Sequence, residues 1–141
     1  MGQIVVGYDG SDCSKAALGE ACTLARALGD RVVIVFGYAP HGAGGGEVPT
    51  QREAVKELAE KVTAEGLERA RATGAEAEVE LAPKHPVHAL TDVAAERDAR
   101  MIVVGSHGET PLRGAILGST SYQLVHAADR PVLVIPARGE A

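Results

Sequence analysis

Continuous runs of β-branched and other apolar residues alternate along this 141-residue chain with segments of helical spacing. The apolar runs, together with one alternating segment, predict five strands at residues 3–9, 31–38, 75–82, 100–106 and 130–136. Apolar residues at three- and four-residue intervals predict helices at residues 14–28, 51–73, 87–97 and 119–128. This order is typical of an α/β fold, an open parallel sheet with helices on both faces. The length and the lack of a repeated pattern predict a single domain over residues 1–141.

The segment at 75–82 differs from the other predicted strands because its residues alternate. Every second residue from 76 to 80 is a glutamate, and the residues between and after them are apolar. Successive side chains of a strand point to opposite faces, so one face of this strand is expected to meet water. The alternation therefore predicts a strand at the edge of the sheet.

Charge and cysteine content exclude several classes of protein. The net charge of −5 argues against a general nucleic-acid-binding protein, which normally carries a basic face. No apolar run approaches the roughly 20 residues that a membrane span needs, and the amino-terminal segment lacks the layout of a signal peptide. Cys13 and Cys22 are nine residues apart on one predicted helix, which places them on nearly opposite faces and prevents a disulfide. We therefore expect a reduced, cytoplasmic protein without a membrane or nucleic-acid partner.

The glycine-spaced loop over residues 105–121 is the most informative segment, because it begins where a buried strand ends and finishes where a helix begins. In open α/β sheets, ligands bind at the carboxyl ends of strands, and helix N-termini offer N–H groups to phosphate. Gly105 and Gly108 can adopt positive φ and admit a ligand close to the backbone, and three hydroxyl residues follow Gly118. The loop predicts a phosphate site. The alternative is that Ser119 only caps the helix and the glycines only turn the chain.

The spacing Gly-x2-Gly-x9-Gly-Ser, formed by Gly105, Gly108, Gly118 and Ser119, resembles the ATP-binding subgroup of the universal stress protein family. The segments VGYDGS and RPVLVIP resemble that family's first and last strands, so the resemblance covers essentially the whole chain. It implies an adenine nucleotide alpha hydrolase-like fold with strand order 3-2-1-4-5 and a nucleotide beside strands 1 and 4. The implied ligand is ATP, with ADP and AMP as alternatives, and Mg²⁺ is a plausible companion of the phosphates.

The resemblance also implies roles for single residues. Asp9 matches the acidic residue that faces adenosine through the ribose, although an Asp-Gly turn or a helix cap is the alternative explanation for Asp9. Gly37 aligns with a position whose backbone bonds the adenine edge. The positions that match phosphate-contacting residues are Gly108, Gly118, Ser119 and Thr120.

Three further residues of the loop bear on its charge. His107 is a candidate for contact with phosphate, but one hydrogen bond to the backbone would explain it equally well. Glu109 is unfavourable beside a triphosphate. Arg113 would compensate for that charge if it faces the ligand, and would be an ordinary surface charge if it faces solvent. We count His107 and Arg113 among the nucleotide-binding candidates.

Catalytic and metal-binding patterns are missing from the sequence. There is no nucleophile elbow, no pair of carboxylates in a loop and no lysine placed for phosphoryl transfer. The histidines outside the loop lack metal-ligand spacing, so no zinc site is expected. The sequence therefore predicts an ATP-binding regulatory protein without catalytic residues. A slow ATPase on the same loop and a dimeric scaffold without nucleotide are the alternatives.

The last predicted strand ends the sheet in the order 3-2-1-4-5, yet it is apolar without alternation. An exposed apolar edge invites pairing with another chain. We therefore expect a homodimer through residues 131–136. The alternative is that a neighbouring loop covers this edge.

Overall fold

A computed structural model describes residues 1–38, 49–107 and 118–136 of the chain. It contains a five-stranded, fully parallel sheet in the order β3-β2-β1-β4-β5, which confirms the predicted fold class and strand order. The strands are β1 (Gln3–Gly7), β2 (Arg31–Gly37), β3 (Ala77–Ala82), β4 (Met101–Gly105) and β5 (Val132–Ile135). The predicted strands are all present and lie within the predicted ranges.

Within the described residues, four helices connect the strands and cover both faces of the sheet. They are α1 (Asp12–Leu28), α2 (Pro49–Ala72), α3 (Pro86–Glu96) and α4 (Ser119–Ala127). In β1, Ile4 and Val6 pack in the apolar cluster of α1 and α2, whereas Val5 packs in the cluster of α3 and α4. Because both faces of the central strands are buried, these strands are continuous apolar runs rather than alternating ones.

Helix α1 has a defined cap at each end. The Ser11 side chain accepts a hydrogen bond from the Ser14 amide, and Gly29 ends the helix in the left-handed region at φ 74°. The helix therefore ends at Leu28, the last residue of the predicted range 14–28. Cys13 and Cys22 are both buried and free, as their separation along one helix requires.

The alternating strand lies at the sheet edge, as predicted, but its glutamates are not simply solvated. Arg97, which follows α3, donates hydrogen bonds to Glu78 and to Glu80. Arg31 forms an ion pair with Glu76 at 3.6 Å. The polar face of β3 is therefore half-exposed and paired with arginines from neighbouring elements.

Strand β1 is the point at which the strand order reverses. The chain leaves β1 for β2 on one side, and later returns to place β4 on the other side. Where the connections that follow two neighbouring strands run to opposite sides, a crevice forms at the carboxyl ends of those strands. Ligands of open α/β sheets bind in this crevice. Among the residues that the structure describes, no helix combines the length and apolarity that crossing a bilayer requires.

Candidate functional site

A cleft opens at the carboxyl ends of β1, β2 and β4. Its walls come from these strand ends and from the first turns of α1, α3 and α4. The lining residues are Gly7, Tyr8, Asp9, Ser14, Val35, Phe36, Gly37, Pro86, Leu90, Val104, Gly105, His107, Gly118, Thr120 and Ser121.

The structure brings six of the nine predicted site residues together in this cleft: Asp9, Gly37, Gly105, His107, Gly118 and Thr120. Ser119 is the first residue of α4, and its exposed side chain is not among those that line the cleft. Gly108 and Arg113, like Glu109, lie outside the described residues, so their place in the site stays a prediction.

Asp9 stands in a tight turn between β1 and α1. One of its carboxylate oxygens, Oδ1, accepts a hydrogen bond from the Ser11 amide at 2.9 Å, and Gly10 adopts φ 85° between them. The Asp-Gly turn considered from the sequence is therefore present. It does not exclude a ligand, because a carboxylate can accept hydrogen bonds at both oxygens and Asp9 lines the cleft.

Helix α4 points its N-terminus toward the cleft without a side-chain cap. Its N-cap is Gly118, which has no side chain to satisfy the free N–H groups of the first turn. The Gly118 amide itself donates to the Ser106 carbonyl at 2.5 Å. The amides that follow and the helix dipole make this end of the cleft attractive to an anion.

The three hydroxyls at the start of α4 have different surroundings. Ser121 is buried, and its hydroxyl contacts the carbonyl oxygens of Ser106 at 3.0 Å and Gly118 at 3.1 Å. Ser119 is exposed. Thr120 is the hydroxyl residue of this turn whose side chain is partly exposed and which lines the cleft.

Gly105 and Gly37 are required by close packing, not by positive φ. A Cβ atom on Gly105 would lie 2.6 Å from the Cβ of Cys13, because the start of α1 passes directly over the end of β4. A Cβ atom on Gly37 would lie 2.8 Å from Ala89 Cβ and from Pro86 Cα in α3. Gly105 is not among the described glycines with positive φ, so that part of the sequence interpretation is wrong.

The apolar wall of the cleft was not predicted from the sequence. It consists of Val35 and Phe36 at the end of β2, Pro86 and Leu90 in α3, and Val104 in β4. The position of Val35 and Phe36 at a strand's carboxyl end was a usable signal. No sequence pattern indicates that α3 contributes, because its approach depends on how the helix packs on the sheet.

The ionisable side chains among the lining residues are those of Tyr8, Asp9 and His107. The Tyr8 hydroxyl donates to Glu65 of α2 at 3.0 Å, and burial together with Glu65 raises the Tyr8 pKa to about 12, so the phenol is neutral at physiological pH. His107 Nδ1 lies 3.1 Å from the hydroxyl of buried Ser106, which orients the ring. Across the described residues, no group of three or more His, Cys, Asp or Glu is placed to hold a metal ion.

Comparison with known proteins identifies the family. The sequence profile of the universal stress protein family matches residues 1–136. The chain belongs to this family. A relative from Thermus aquaticus, named "Universal stress protein in QAH/OAS sulfhydrylase 3'region", is 37% identical over 136 residues, which cover 94% of this chain and 96% of that protein.

Two solved universal stress protein structures with nucleotides are also similar to this chain. The protein from Archaeoglobus fulgidus in complex with dAMP is 29% identical, with a TM-score of 0.75 over 96% of this chain and 98% of that one. A universal stress protein in complex with cAMP is 29% identical, with a TM-score of 0.73 over 96% of this chain and 97% of that one. The resemblance drawn from the glycine spacing and the two end strands is thus confirmed at the level of the family.

Proposed function

We propose that this universal stress protein is a regulatory protein that binds an adenine nucleotide, ATP foremost, in the cleft at the carboxyl ends of β1, β2 and β4. The observation that carries the proposal is the uncapped N-terminus of α4, which faces the same cleft as Asp9 and an apolar wall. These three features suit the three parts of a nucleotide: phosphate, ribose and base.

The apolar wall suits the base. Val35, Phe36 and Leu90 offer an apolar surface to the faces of a planar ring. Gly37 lies beside them at the end of β2, where a main-chain group is available at the edge of the ring without a side chain in between. Backbone donors and acceptors of this kind read the adenine edge by hydrogen bonding.

The opposite end of the cleft suits phosphate. Gly118 and Thr120 lie at the start of α4, and His107 lies at the end of β4. Helix N–H groups, a hydroxyl and an imidazole are all donors to phosphate oxygens. From their spacing alone, we include Gly108, Ser119 and Arg113 in the proposed site, with Gly105 as the glycine that lets α1 approach it.

The related complexes with dAMP and cAMP support an adenine nucleotide as the ligand. The ATP preference rests on the sequence resemblance alone. In this proposal the phosphates would hold any accompanying Mg²⁺, since the described cleft supplies one carboxylate, Asp9. The two buried, unbridged cysteines support a cytoplasmic location.

The first experiment asks which nucleotide binds. The purified protein is denatured, and released ATP, ADP, AMP and cAMP are identified by chromatography. Calorimetric titration of nucleotide-free protein then compares these ligands with and without Mg²⁺. We expect binding of ATP, and loss of affinity by roughly tenfold in Asp9→Asn. Asparagine keeps an Oδ1 acceptor for the Ser11 amide, so this variant removes the charge while preserving the turn. No detectable binding of any of the four ligands would overturn the proposal.

A regulatory role requires that occupancy favours one conformation or partner over another, because a ligand that binds two states equally shifts neither. The competing function is slow ATP hydrolysis in the same cleft. Turnover of radiolabelled ATP by the wild type and by Gly118→Ala distinguishes them. Turnover that disappears in the variant would establish the ATPase, and binding without turnover would support the regulatory function.

We also propose a homodimer through residues 131–136. Strand β5 lies at the sheet edge, and Pro131 and Ile135 direct their carbonyls to β4. Since main-chain groups alternate along a strand, those of Val132 and Val134 point away from the sheet and are available to a second copy.

Sedimentation velocity at micromolar concentration tests the dimer. Val134→Pro removes one outward N–H group while sparing the hydrogen bonds to β4, and is expected to give monomers. Retained nucleotide binding would show that the variant is folded. A wild type that sediments only as a monomer would refute the dimer. It would also refute the alternative function of a dimeric scaffold.

A further inference from the structure

We infer that Ser14 is the positioning residue that orients the Asp9 carboxylate toward the ribose hydroxyls of the nucleotide. This inference rests on the proposed function, which assigns a nucleotide to the cleft. No sequence pattern marks Ser14, because its relationship to Asp9 exists only in the folded structure.

A closed ring of hydrogen bonds joins Asp9, Ser11 and Ser14. The Ser14 hydroxyl donates to the Ser11 carbonyl at 2.9 Å and accepts from the Asp9 amide at 3.3 Å. The Ser14 amide donates to the Ser11 hydroxyl at 3.2 Å. The Ser11 amide in turn donates to Asp9 Oδ1 at 2.9 Å. Both the backbone and the carboxylate of Asp9 are thereby held by the first turn of α1.

The turn depends on such a clamp because of Gly10. This residue lies between Asp9 and Ser11 with φ 85°, and glycine has wide conformational freedom. Ser14 provides a rigid reference because it belongs to a capped helix and is only 4% exposed. Without its hydroxyl, the Asp9 amide loses its partner, whereas the Ser11 carbonyl still accepts from the Lys15 amide at 2.9 Å. Removal of the Ser14 hydroxyl therefore leaves the Asp9 amide without this hydrogen bond, while the Ser11 carbonyl keeps one.

Ser14 lines the cleft, yet its hydroxyl is engaged with Ser11 and Asp9. Its single hydroxyl proton is directed to the Ser11 carbonyl, so it acts through Asp9 rather than by donating to the ligand. A carboxylate only accepts hydrogen bonds, and the hydroxyls of a ribose are the donors that a nucleotide sugar provides. The effect of Ser14 should thus depend on those hydroxyls.

Calorimetry with two ligands tests this dependence. Adenosine monophosphate and its dideoxy analogue, which lacks both free ribose hydroxyls, are titrated into the wild type, Ser14→Ala and Ser14→Thr. Loss of one oriented hydrogen bond corresponds to roughly a five- to tenfold change in Kd. We expect Ser14→Ala to weaken adenosine monophosphate binding by that factor and to leave the dideoxy analogue unchanged. Ser14→Thr, which keeps the hydroxyl, should restore the preference.

Thr23→Ala is the matched control. Thr23 lies on the same helix and also donates its hydroxyl to a carbonyl, that of Gly19 at 3.1 Å, but it is exposed and outside the cleft lining. It should change neither affinity.

The outcomes separate the two hypotheses. A wild type that binds neither ligand would refute the proposed function and, with it, the role of Ser14. A wild type that binds both ligands equally would leave the cleft a nucleotide site and refute the orientation of Asp9 by Ser14. An equal loss for both ligands in Ser14→Ala would reveal a general loosening of the cleft and would also refute the inference.

Discussion

The Ser121 hydroxyl donates a hydrogen bond to the main-chain carbonyl of Ser106 at 3.0 Å, although the two residues are fifteen positions apart. The Gly118 amide donates to the same carbonyl. Together these bonds join the end of β4 to the start of α4, and so close the glycine-spaced loop at its base. This junction holds the N-terminus of α4 beside the cleft.

Removing the Ser121 hydroxyl should weaken the junction. Ser121 is 2% exposed, so its hydrogen bonds to the carbonyl oxygens are not easily replaced by water. We expect Ser121→Ala to lower the free energy of unfolding by about 1–2 kcal/mol. Urea denaturation measures this change, and Thr23→Ala, which removes an exposed hydroxyl, is the control. Equal stabilities of Ser121→Ala and the wild type would show that the junction is maintained without the hydroxyl.

Substitution of Gly105 tests the close approach of α1 to β4. A Cβ atom there would lie 2.8 Å from the main-chain carbon and oxygen of Cys13, which cannot rotate away. Gly105→Ala is expected to lower the free energy of unfolding by about 1–3 kcal/mol through overpacking. In Gly19→Ala, on the exposed side of α1, the new Cβ meets nothing within 4 Å. That variant should gain about 0.5–1 kcal/mol from helix propensity. A Gly105→Ala protein as stable as the wild type would contradict the packing explanation.

Acid should destabilise the protein partly through Asp30. The Asp30 carboxylate is buried, and hydrogen bonds from Arg100, the shorter at 2.5 Å, lower its pKa below the ordinary value of 3.8. A carboxyl with a lowered folded-state pKa stabilises the protein fully above its unfolded-state pKa, and this stabilisation is lost as the pH falls through the folded-state value. The free energy of unfolding should therefore be independent of Asp30 ionisation near neutrality and decline below pH 3.8.

Asp30→Asn should reduce the acid dependence of stability in that window, measured by thermal unfolding at a series of pH values. Asp92 is a control because its ion pair with Lys84 is exposed to solvent. Asp92→Asn is expected to change the profile less, since exposed pairs are weak and screened by salt. An acid limb of the same steepness in Asp30→Asn and the wild type would exclude Asp30 as its source.

High pH should lower the stability of the fold through ionisation of Tyr8. Its pKa is raised from 10.0 to about 12 by burial first, and then by its hydrogen bond to Glu65. The neutral phenol is favoured by folding, so its contribution is complete below the unfolded-state pKa and is lost as the pH rises toward 12. Tyr8→Phe should flatten the decline of stability between these pH values, whereas Tyr122→Phe, at an exposed position, should not. Ultraviolet titration of the wild type and Tyr8→Phe should show that the Tyr8 phenol ionises near pH 12, and ionisation of Tyr8 near pH 10.0 would refute the raised pKa.

Much of the fold was predictable because hydrophobic periodicity is a local property. Residues 32–36 are apolar on both faces, and Gly29 ends the preceding helix, so β2 and the end of α1 could be located from the chain alone. The pairing order of the strands was not contained in periodicity; it came from the family resemblance. Of the candidate site, Asp9 and Gly118 were found because both stand at chain turns next to strand or helix ends.

The types of the secondary-structure elements, the glycine spacing and the family could all be inferred from the chain without a structure. Helix packing on the sheet was needed to show that Gly105 accommodates Cys13, that Ser121 bonds Ser106, and that Ser14 clamps the turn of Asp9. It also brought Leu90 into the cleft wall. The physical reason is that each of these contacts depends on distances and directions between side chains and main-chain groups, which the packing of helices on the sheet sets and no local pattern records.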